Sequence, residues 1–376
     1  MNIEDFVAGS YRSAFQYKYF LPQKINHSYT WRSTEISELL EEAALKLGEL
    51  NSFSRFVPDV VLFIKMHVIK EAVVSNKIEG TQTNIEDAFF EEMEIEPEKR
   101  DDWQEVQNYV LAMNYAIGEL KNLPLSNRLI RSTHKVLLSS VRGKDRAPGE
   151  FRISQNWIGG ASLRDTTFIP PVHTELPELL SDLELFLNNS EIKIPHLIRI
   201  AIAHYQFETI HPFLDGNGRI GRLLISLYLV SNGILEKPLL YLSDFFERNK
   251  SLYYDNLTNV RHKNDLVQWI KFFLVGVLET ADKSSITLRN ILELKSDLEK
   301  NKIMKMGKRA TKGSVLLQYL FSRPVVNGKL LGSILQLSPK ATNLLIQEFL
   351  EANILVETTG NSRNKSYIFE KYLMMF

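Results

Sequence analysis

Cysteine is missing from all 376 residues of the chain. Its absence excludes disulfides, thiolate nucleophiles and cysteine-ligated zinc, and it fits a reducing compartment such as the cytoplasm. An excess of charge of one sign is missing too, because Lys plus Arg and Asp plus Glu both number 45. This balance gives no global indication of a nucleic acid or an anionic membrane as a partner.

Long apolar runs are also missing. Stretches such as 197–202 are far shorter than the ~20 residues needed to span a bilayer. The N-terminus carries Glu4 and Asp5 and lacks the apolar centre of a signal peptide. The composition, 44% hydrophobic and 24% charged, is that of a globular protein. We therefore expect a soluble, cytoplasmic protein with no membrane partner, long enough for two or three domains.

Helical periodicity dominates the remaining sequence. An apolar stripe recurs at steps of three and four residues from Thr34 to Leu50. A second helix is predicted after Pro58 and ends near Gly80, because glycine is favoured just beyond a helix C-terminus. Further helical patterns cover 103–120, 127–138, 176–187 and 197–210. The fold class is therefore predicted to be mainly α.

One segment, 151–172, departs from the helical pattern. Two short extended runs, at 157–158 and 168–169, are separated by two glycines and Asp165, and two prolines follow. This arrangement predicts a β-hairpin or flap within the helical protein.

The segment beyond about Thr280 has a different character. Residues 284–310 predict a charged helix with a lysine-rich end. Three short helical units and two extended runs follow, at 315–321, 330–337, 339–352, 354–358 and 366–369. Three helices and a two-stranded wing are the layout of a winged helix-turn-helix. Its candidate DNA contacts are polar or basic residues of the third helix and the wing, namely Lys340, Thr342, Asn343, Asn361, Arg363, Asn364 and Lys365.

The most informative stretch is 211–222, which places a loop immediately before an apolar helix. The Gly-Asn-Gly run at 216–218 allows close backbone approach, and its amides open a helix at the positive end of the helix dipole. These features predict an anion-binding nest. Arg219 and Arg222 add two guanidinium groups one helical turn apart, which suits a polyphosphate.

Two further residues of this stretch predict catalysis. Asp215 lies beside the nest, where its carboxylate could hold Mg²⁺ against phosphate oxygens. His211, at the loop entrance, is a residue type whose ordinary pKa suits a general base. A lone histidine or a lone Asp-Gly-Asn-Gly turn would be structural, but the two arginines and the following helix favour a catalytic site. An EF-hand is excluded because no acidic residue follows at the later ligand positions, and zinc spacing is absent.

The string at 211–222 resembles the Fic signature, H-x-F-x-(D/E)-G-N-G-R-x-x-R, at every specified position. Segments 146–152 and 155–160 resemble the pre-flap segment of that family, and 168–171 resembles its flap. The similarity covers roughly residues 60–275. It implies a Fic-type helical bundle with a β-hairpin flap, preceding the winged-helix-like part.

The resemblance also implies roles for individual residues. His211 would deprotonate a target hydroxyl, and Asp215 would ligate Mg²⁺ on the ATP phosphates. The ATP phosphates would be bound by Gly216, Asn217, Gly218, Arg219, Gly221 and Arg222. Flap residues Thr167, Phe168 and Ile169 would align the target backbone by strand addition. Tyr253, Tyr254 and Asn256 are candidate nucleoside contacts, with a core position as the alternative for these residues.

An upstream segment, Ser75-Asn76-Lys77-Ile78-Glu79-Gly80, matches the inhibitory pattern of the family, (S/T)-x-x-x-E-(G/N). Ser75 and Glu79 are four residues apart and share a helix face. Glu79 is predicted to form a bidentate pair with Arg222, which would displace the γ-phosphate and misdirect the α-phosphate. The alternative is an ordinary glutamate at a helix end beside Gly80.

We therefore predict a protein adenylyltransferase that transfers AMP from ATP to a Tyr, Ser or Thr hydroxyl and carries its own inhibitory helix at about 59–80. Residues 1–105 would form the N-terminal helical region, 106–280 the catalytic domain and 281–376 the winged-helix-like domain. Homodimerisation is compatible with this organisation. The alternatives are a DNA-binding regulator with a nucleotide-sensing Fic domain, and a Fic enzyme that transfers another phosphate-containing group or removes AMP.

Overall fold

The computed structural model describes residues 1–14, 16–56, 60–139, 145–359 and 365–376. Within these ranges the chain is mainly α-helical, with five short strands. The first seven helices are α1 (Thr34–Phe56), α2 (Val60–Ile78), α3 (Arg100–Glu119), α4 (Asn127–Leu137), α5 (Leu176–Asn188), α6 (His196–Ile210) and α7 (Asn217–Ser231). The others are α8 (Ser243–Arg248), α9 (Lys250–Lys263), α10 (Leu266–Asn301), α11 (Ala310–Ser322), α12 (Gly328–Leu335), α13 (Pro339–Glu351) and α14 (Glu370–Leu373).

These helices confirm the mainly α prediction, and most predicted helices lie where the periodicity put them. Helices α6 and α7 form the centre of the molecule, since nearly all of their residues are buried. Helix α1 packs along α10, and α2 packs against α3, α8 and α11. No helix in the described ranges is long and apolar enough to cross a membrane.

The strands differ from the sequence-based expectation in two places. An N-terminal hairpin of β1 (Gly9–Ser13) and β2 (Lys18–Pro22) was not predicted, because its residues do not alternate strictly between apolar and polar. The predicted flap is reduced to one antiparallel bridge between Ile158 and Phe168. The two backbone amides of Ile158 and Phe168 each donate to the carbonyl of the other residue, and no longer ladder forms.

The C-terminal part contains a three-stranded sheet in the order β3-β5-β4, with β3 at Val325–Asn327, β4 at Val356–Glu357 and β5 at Ser366–Ile368. The sequence predicted the two strands of the wing, β4 and β5, but not β3, which pairs with the central β5 through Val325 opposite Ile368. Three of the candidate DNA contacts, Asn361, Arg363 and Asn364, lie outside the described residues.

Both predicted domain boundaries fall inside continuous helices. Residue 105 lies within α3, and residue 280 lies within α10, which runs without interruption for 36 residues. The amino-terminal half of α10 packs in the helical core, and its remaining turns lead to α11. A change in composition near 280 therefore marks a change of surroundings along one helix, not a linker.

Candidate active site

The site begins where α6 ends. His211 caps α6 in the left-handed conformation, with φ 50° and ψ 61°, and its amide donates to the carbonyl of Phe207. Gly216 precedes α7 with φ 76°, a value that glycine adopts without strain. These two left-handed residues reverse the chain between two buried helices, and they hold the loop over the N-terminus of α7.

The loop is closed by side chains of the motif itself. The side chain of Asn217 accepts from the amide of Phe213 and donates to its carbonyl, both at 2.8 Å. The Asp215 carboxylate accepts from the amide of Gly216 at 2.6 Å. The expectation that all three amides of 216–218 face a ligand needs correction, because the Gly216 amide already has a partner within the loop.

A second layer of residues supports this loop from outside the motif. The buried Arg152 guanidinium donates to the carbonyls of His211 and Pro171, at 2.9 and 2.6 Å. The Asn156 amide donates to the carbonyl of Phe213 at 2.8 Å. His134 stacks on the Phe213 ring with centroids 3.7 Å apart. Arg152 and Asn156 were predicted only as parts of the pre-flap resemblance, and the tertiary structure brings both to the loop.

His134 and His204 are packed histidines that hold other parts of the fold. His134 bridges the amide of Gly149 and the carbonyl of Asp215, each at 2.9 Å. His204 bridges the carbonyl of Gly221 and the hydroxyl of Tyr253. Burial lowers the pKa of His134 to about 4 and that of His204 to about 3, so both are neutral structural groups.

His211 is available as a base. Burial, aided by the nearby charge of Arg152, lowers its pKa to about 4. Its Nδ1 has no hydrogen-bond partner among the described residues. The imidazole is therefore neutral near pH 7 and able to accept a proton, although its pKa is lower than the near-neutral value expected from the residue type.

Asp215 is the candidate metal ligand. Its side chain is 47% exposed, and one of its carboxylate oxygens lies 3.5 Å from the Arg219 guanidinium. The described residues contain no group of three His, Asp or Glu side chains that would hold a metal ion by themselves. An Mg²⁺ ion at Asp215 would therefore need phosphate oxygens as further ligands, as Mg²⁺ commonly does in nucleotide sites.

Arg219 is already paired inside the protein. Its Nη1 donates to the Glu105 carboxylate of α3 at 2.9 Å and to the Asn76 side chain of α2 at 3.2 Å. Arg219 and Glu105 are both shielded from solvent, with side chains 4% and 14% exposed. The sequence offered no signal for this pair, since Glu105 is one of many acidic residues on its helix.

Arg222 is paired with α2, as predicted, although the geometry differs. Its Nη2 donates to the Glu79 carboxylate at 2.6 Å and to the Ser75 carbonyl at 2.9 Å. Its Nε donates to the Ser75 hydroxyl at 2.9 Å. The Glu79 contact is therefore made through Nη2 alone and is not bidentate, since Ser75 holds Nε and also accepts from Nη2. Burial acts to raise the pKa of Glu79, but Arg222 outweighs it and the pKa is lowered.

The Glu79 carboxylate also occupies the N-terminus of α7. A Cβ atom added to Gly218 would lie 2.4 Å from the Glu79 Oε1 atom and 3.0 Å from the Arg222 Nη1 atom. A side chain at 218 would therefore have to displace the Glu79 carboxylate. The carboxylate thus lies beside Gly218 and against the Arg222 guanidinium, two of the residues that were predicted to bind phosphate.

Two buried carboxyl groups near Arg222 were not predicted. Burial raises the pKa of Glu71 and of Glu208 to about 7, with Arg222 opposing the shift in both cases. Glu71 accepts from Ser243 and Tyr109, and Glu208 lies against Gly221. Both residues lie in apolar helices, and the sequence around them did not distinguish them from surface glutamates.

Several of the predicted contact residues are packed inside the protein. Gly221 packs against α6, where an added Cβ would lie 2.1 Å from Glu208, so its smallness serves helix packing. Tyr253 is 1% exposed and its hydroxyl bonds to His204, which favours the core alternative. Asn256 is likewise buried and donates to its own helix. Of these three nucleoside candidates only Tyr254, 41% exposed, presents a ring to solvent.

The predicted docking residues of the flap also divide into buried and exposed positions. Phe168 and Ile169 are buried, and the Ile169 carbonyl accepts from the amide of Phe20 on β2. Arg261 lies over the Phe168 ring, 4.0 Å from its centroid. Thr167 is exposed, so it remains the accessible position of the three.

Sequence comparison identifies the family. Residues 37–118 match the family model described as Fic/DOC family N-terminal, and residues 124–229 match the model described as Fic/DOC family. The second match contains the whole 211–222 loop, and the first contains Ser75 and Glu79. Together the two matches span half of the chain. The chain belongs to the Fic/DOC family.

Curated relatives of this Fic protein carry the name protein adenylyltransferase Fic. The one from Drosophila erecta is 28% identical over 228 residues, which are 60% of this chain and 41% of that protein. The one from Drosophila mojavensis is 28% identical over 320 residues, which are 80% of this chain and 58% of that protein. This Fic protein thus spans only part of the length of the curated relatives it matches.

Solved Fic structures share the fold. A Fic family protein from Desulfovibrio desulfuricans G20 is 20% identical, with a TM-score of 0.56, and the match covers 91% of this chain and 98% of that one. Fic-1 from C. elegans is 21% identical, with a TM-score of 0.51 over 69% of this chain and 74% of that one. At these identities the likeness shows the mainly α Fic fold.

Proposed function

We propose that this Fic protein is a protein adenylyltransferase whose inhibitory helix is α2. The observation that carries the proposal is the convergence of His211, Asp215 and the N-terminus of α7 in one loop, with Glu79 against Gly218 and Arg222. The neutral base, the amides and the two guanidinium groups are the parts that phosphoryl chemistry requires. The names of the curated relatives support the same activity.

The reaction follows from these parts. His211 accepts the proton of a Tyr, Ser or Thr hydroxyl, and the hydroxyl oxygen attacks the α-phosphorus of ATP. The bond from that phosphorus to the bridging oxygen of the β-phosphate breaks, and pyrophosphate leaves. Asp215 would hold the Mg²⁺ that accompanies ATP, and the amides of 217 and 218 would stabilise the phosphates. Other phosphate-containing donors, and removal of AMP, remain alternatives of the same fold.

Autoinhibition follows from the same contacts. The Nη2 of Arg222 donates to Glu79 and to the Ser75 carbonyl, and its Nε donates to the Ser75 hydroxyl. A γ-phosphate directed to Arg222 would have to displace an anion that is already there. Glu105 and Asn76 hold Arg219 in the same manner. Arg222 must therefore exchange its Glu79 partner for phosphate before transfer can proceed.

We also propose that the C-terminal part is winged-helix-like and that the protein acts in the cytoplasm. The order of α11, α12 and α13 around the β3-β5-β4 sheet supports the first proposal. The lack of cysteine supports the second.

The function is tested by incubating the protein with ATP labelled at the α-phosphate or at the γ-phosphate. We expect label from the α position only, and mass spectrometry should find AMP on a hydroxyl side chain. His211→Ala and His211→Asn should each lower labelling by about 10²–10⁴-fold while ATP binding by calorimetry is retained. The Asn variant is the stricter test, because Asn tolerates the left-handed backbone of this position. The exposed His173→Ala serves as the matched control. Near wild-type labelling by His211→Asn would contradict the assignment of the base.

A further inference from the structure

A pocket separate from the ATP site lies between α2, α8 and α10. Its volume is about 30 Å³, counted as the space that the centres of water molecules can occupy. This is enough for about two or three water molecules. Its walls come from α2, the loop before α8, α8 itself, α10 and the C-terminal residues. The lining residues that matter below are His67, Lys70, Glu71, Tyr241, Asp244 and Lys283. We call it the α2–α10 pocket.

Three lining side chains carry a buried polar atom without a partner among the described residues. These atoms are the Nε2 of His67, the Oε2 of Glu71 and the hydroxyl of Tyr241. The three residues are 8%, 3% and 6% exposed. An unsatisfied buried polar group is costly, and three around one cavity indicate that something polar occupies it.

The charges around the α2–α10 pocket favour an anion. Asp244 is the common partner of Lys70, Lys283 and Arg248, at 3.5, 2.8 and 3.3 Å. Arg248 has a second partner in Glu279, at 3.8 Å, so Lys70 and Lys283 are the two lining cations that share Asp244. Burial lowers the pKa of Lys70, as expected for a desolvated ammonium with an incomplete counter-charge. Thr280 and Ser284 add hydroxyl groups on the α10 wall, where the Thr287 hydroxyl already donates to the Met375 carbonyl.

Glu71 and Asp244 are the carboxylate side chains among the described lining residues, and the state of Glu71 is compatible with a bound anion. Its Oε1 accepts from Ser243 at 2.5 Å and from Tyr109 at 3.0 Å. Burial raises its pKa to about 7, so a large share of Glu71 is protonated near neutral pH. The protonated Oε2 would act as a donor toward the cavity.

We propose that the α2–α10 pocket binds a small phosphate- or carboxylate-bearing effector, and that its occupant strengthens autoinhibition. The occupant would bridge Lys70 and His67 of α2 to Lys283 and Ser284 of α10. The same helix carries Ser75 and Glu79 one and two turns beyond Glu71, on the face that meets Arg222. A ligand that binds the pocket as formed here stabilises this position of α2, because binding favours the state to which the ligand binds.

Binding and regulation are separable, since only the second part rests on the proposed function. The full chain is titrated with inorganic phosphate and, separately, with malonate, and chloride keeps the ionic strength constant. Calorimetry and thermal unfolding should both show saturable binding, and the stronger probe identifies the preferred anion. Lys283→Gln should weaken binding about tenfold or more, the scale of one charge-assisted hydrogen bond. Lys300→Gln, the same change on an exposed turn of α10, should leave binding unchanged.

His67→Phe provides a second variant that keeps the ring contacts with Phe63 and Phe376 while removing the unpartnered nitrogen. It too should weaken binding. Equal affinity in wild type, Lys283→Gln and His67→Phe, or no saturable binding of either probe, would overturn the proposal and leave the pocket to water.

The saturating anion should also lower AMP labelling of wild type but not of Glu79→Gly, where the inhibitory carboxylate is gone. Unchanged wild-type labelling would overturn the regulatory part. Absence of any labelling would count against the adenylyltransferase proposal and not against the binding result.

Discussion

Arg219 and Arg222 lie one turn apart on α7, and each is bound by a carboxylate from a different helix. Arg219 pairs with Glu105 of α3, and Arg222 pairs with Glu79 of α2. The Glu79 side chain is 37% exposed whereas Arg222 is 2% exposed. The glutamate can therefore move into solvent, but the arginine cannot. This asymmetry makes Glu79 the residue whose removal frees the site.

Glu79→Gly should raise auto-labelling about tenfold or more, because the anion that competes with the γ-phosphate is removed. The gain should depend on Arg222, so the double variant with Arg222→Gln should lose most of it. Two residues acting through one contact are non-additive in this way. Labelling rates of the four proteins, measured with saturating ATP, complete the cycle.

Glu79→Gln is the control for helix loosening, since it removes the charge without adding a glycine. It should activate in the same direction. Arg222 keeps the pKa of Glu79 below its usual range, so the carboxylate stays charged near neutral pH and a modest pH change should not mimic the variant. Labelling by Glu79→Gly at the wild-type rate would make Glu79 an ordinary helix-end glutamate.

Helix α2 is held at its C-terminal end by the elements that follow α7. The Lys250 ammonium at the start of α9 donates to the Ile78 carbonyl at 2.7 Å. Lys77 pairs with Glu247 of α8 at 2.9 Å, although the Lys77 side chain is 58% exposed and contributes little. The bond from Lys250 also satisfies a carbonyl that the helix leaves free, so it fixes both the end of α2 and the position of Glu79.

Lys250→Met should therefore loosen the end of α2 and raise basal labelling about threefold to tenfold, the scale of one lost charge-assisted hydrogen bond. Hydrogen exchange of the amides at 76–80 should accelerate together with the labelling. Lys263→Met is the matched control at the exposed end of the same helix. Faster exchange without added labelling would show that the end of α2 moves without releasing Arg222.

At the scale of the whole molecule, the C-terminal part contacts the inhibitory helix directly. Helix α11 packs on α2, and the Phe376 ring lies 5.1 Å from the ring of His67. The Arg323 guanidinium donates to the Phe89 carbonyl at 2.6 Å. A partner bound by the C-terminal part would thus act on elements that also position Glu79.

The nature of that partner can be tested with duplex DNA. Of the candidate contacts in the described residues, Lys340 and Asn343 are exposed at the start of α13, whereas Thr342 is buried and bonds to Ser338. Lys365 pairs with Glu357 at 2.7 Å. If this part reads DNA, affinity should fall steeply with salt, and Lys340→Gln should reduce the salt slope by about one.

Thr342→Val tests the alternative that residue 342 has a packing role, since it should alter stability and not the salt slope. No binding to any duplex at low salt would assign the C-terminal part to protein contacts.

The sequence by itself determined the helices and the 211–222 loop, because both depend on residues that are close along the chain. Apolar residues at steps of three and four fix a helix wherever it packs. The loop is closed by residues of the motif itself, Gly216, Asn217 and the first turn of α7. The pairing of Glu79 with Arg222 was also predictable, through a pattern match and not through geometry.

Only the tertiary structure decided which distant side chains meet. The support of the loop by Arg152 and Asn156, the Arg219–Glu105 pair and the buried Glu71 and Glu208 all join residues far apart in sequence. The sequence does not distinguish a charged residue that faces solvent from one that faces a buried partner. Only the packing of the folded chain distinguishes the two. The same reason separates exposed Tyr254 from buried Tyr253, and it leaves the α2–α10 pocket without any signal in the sequence.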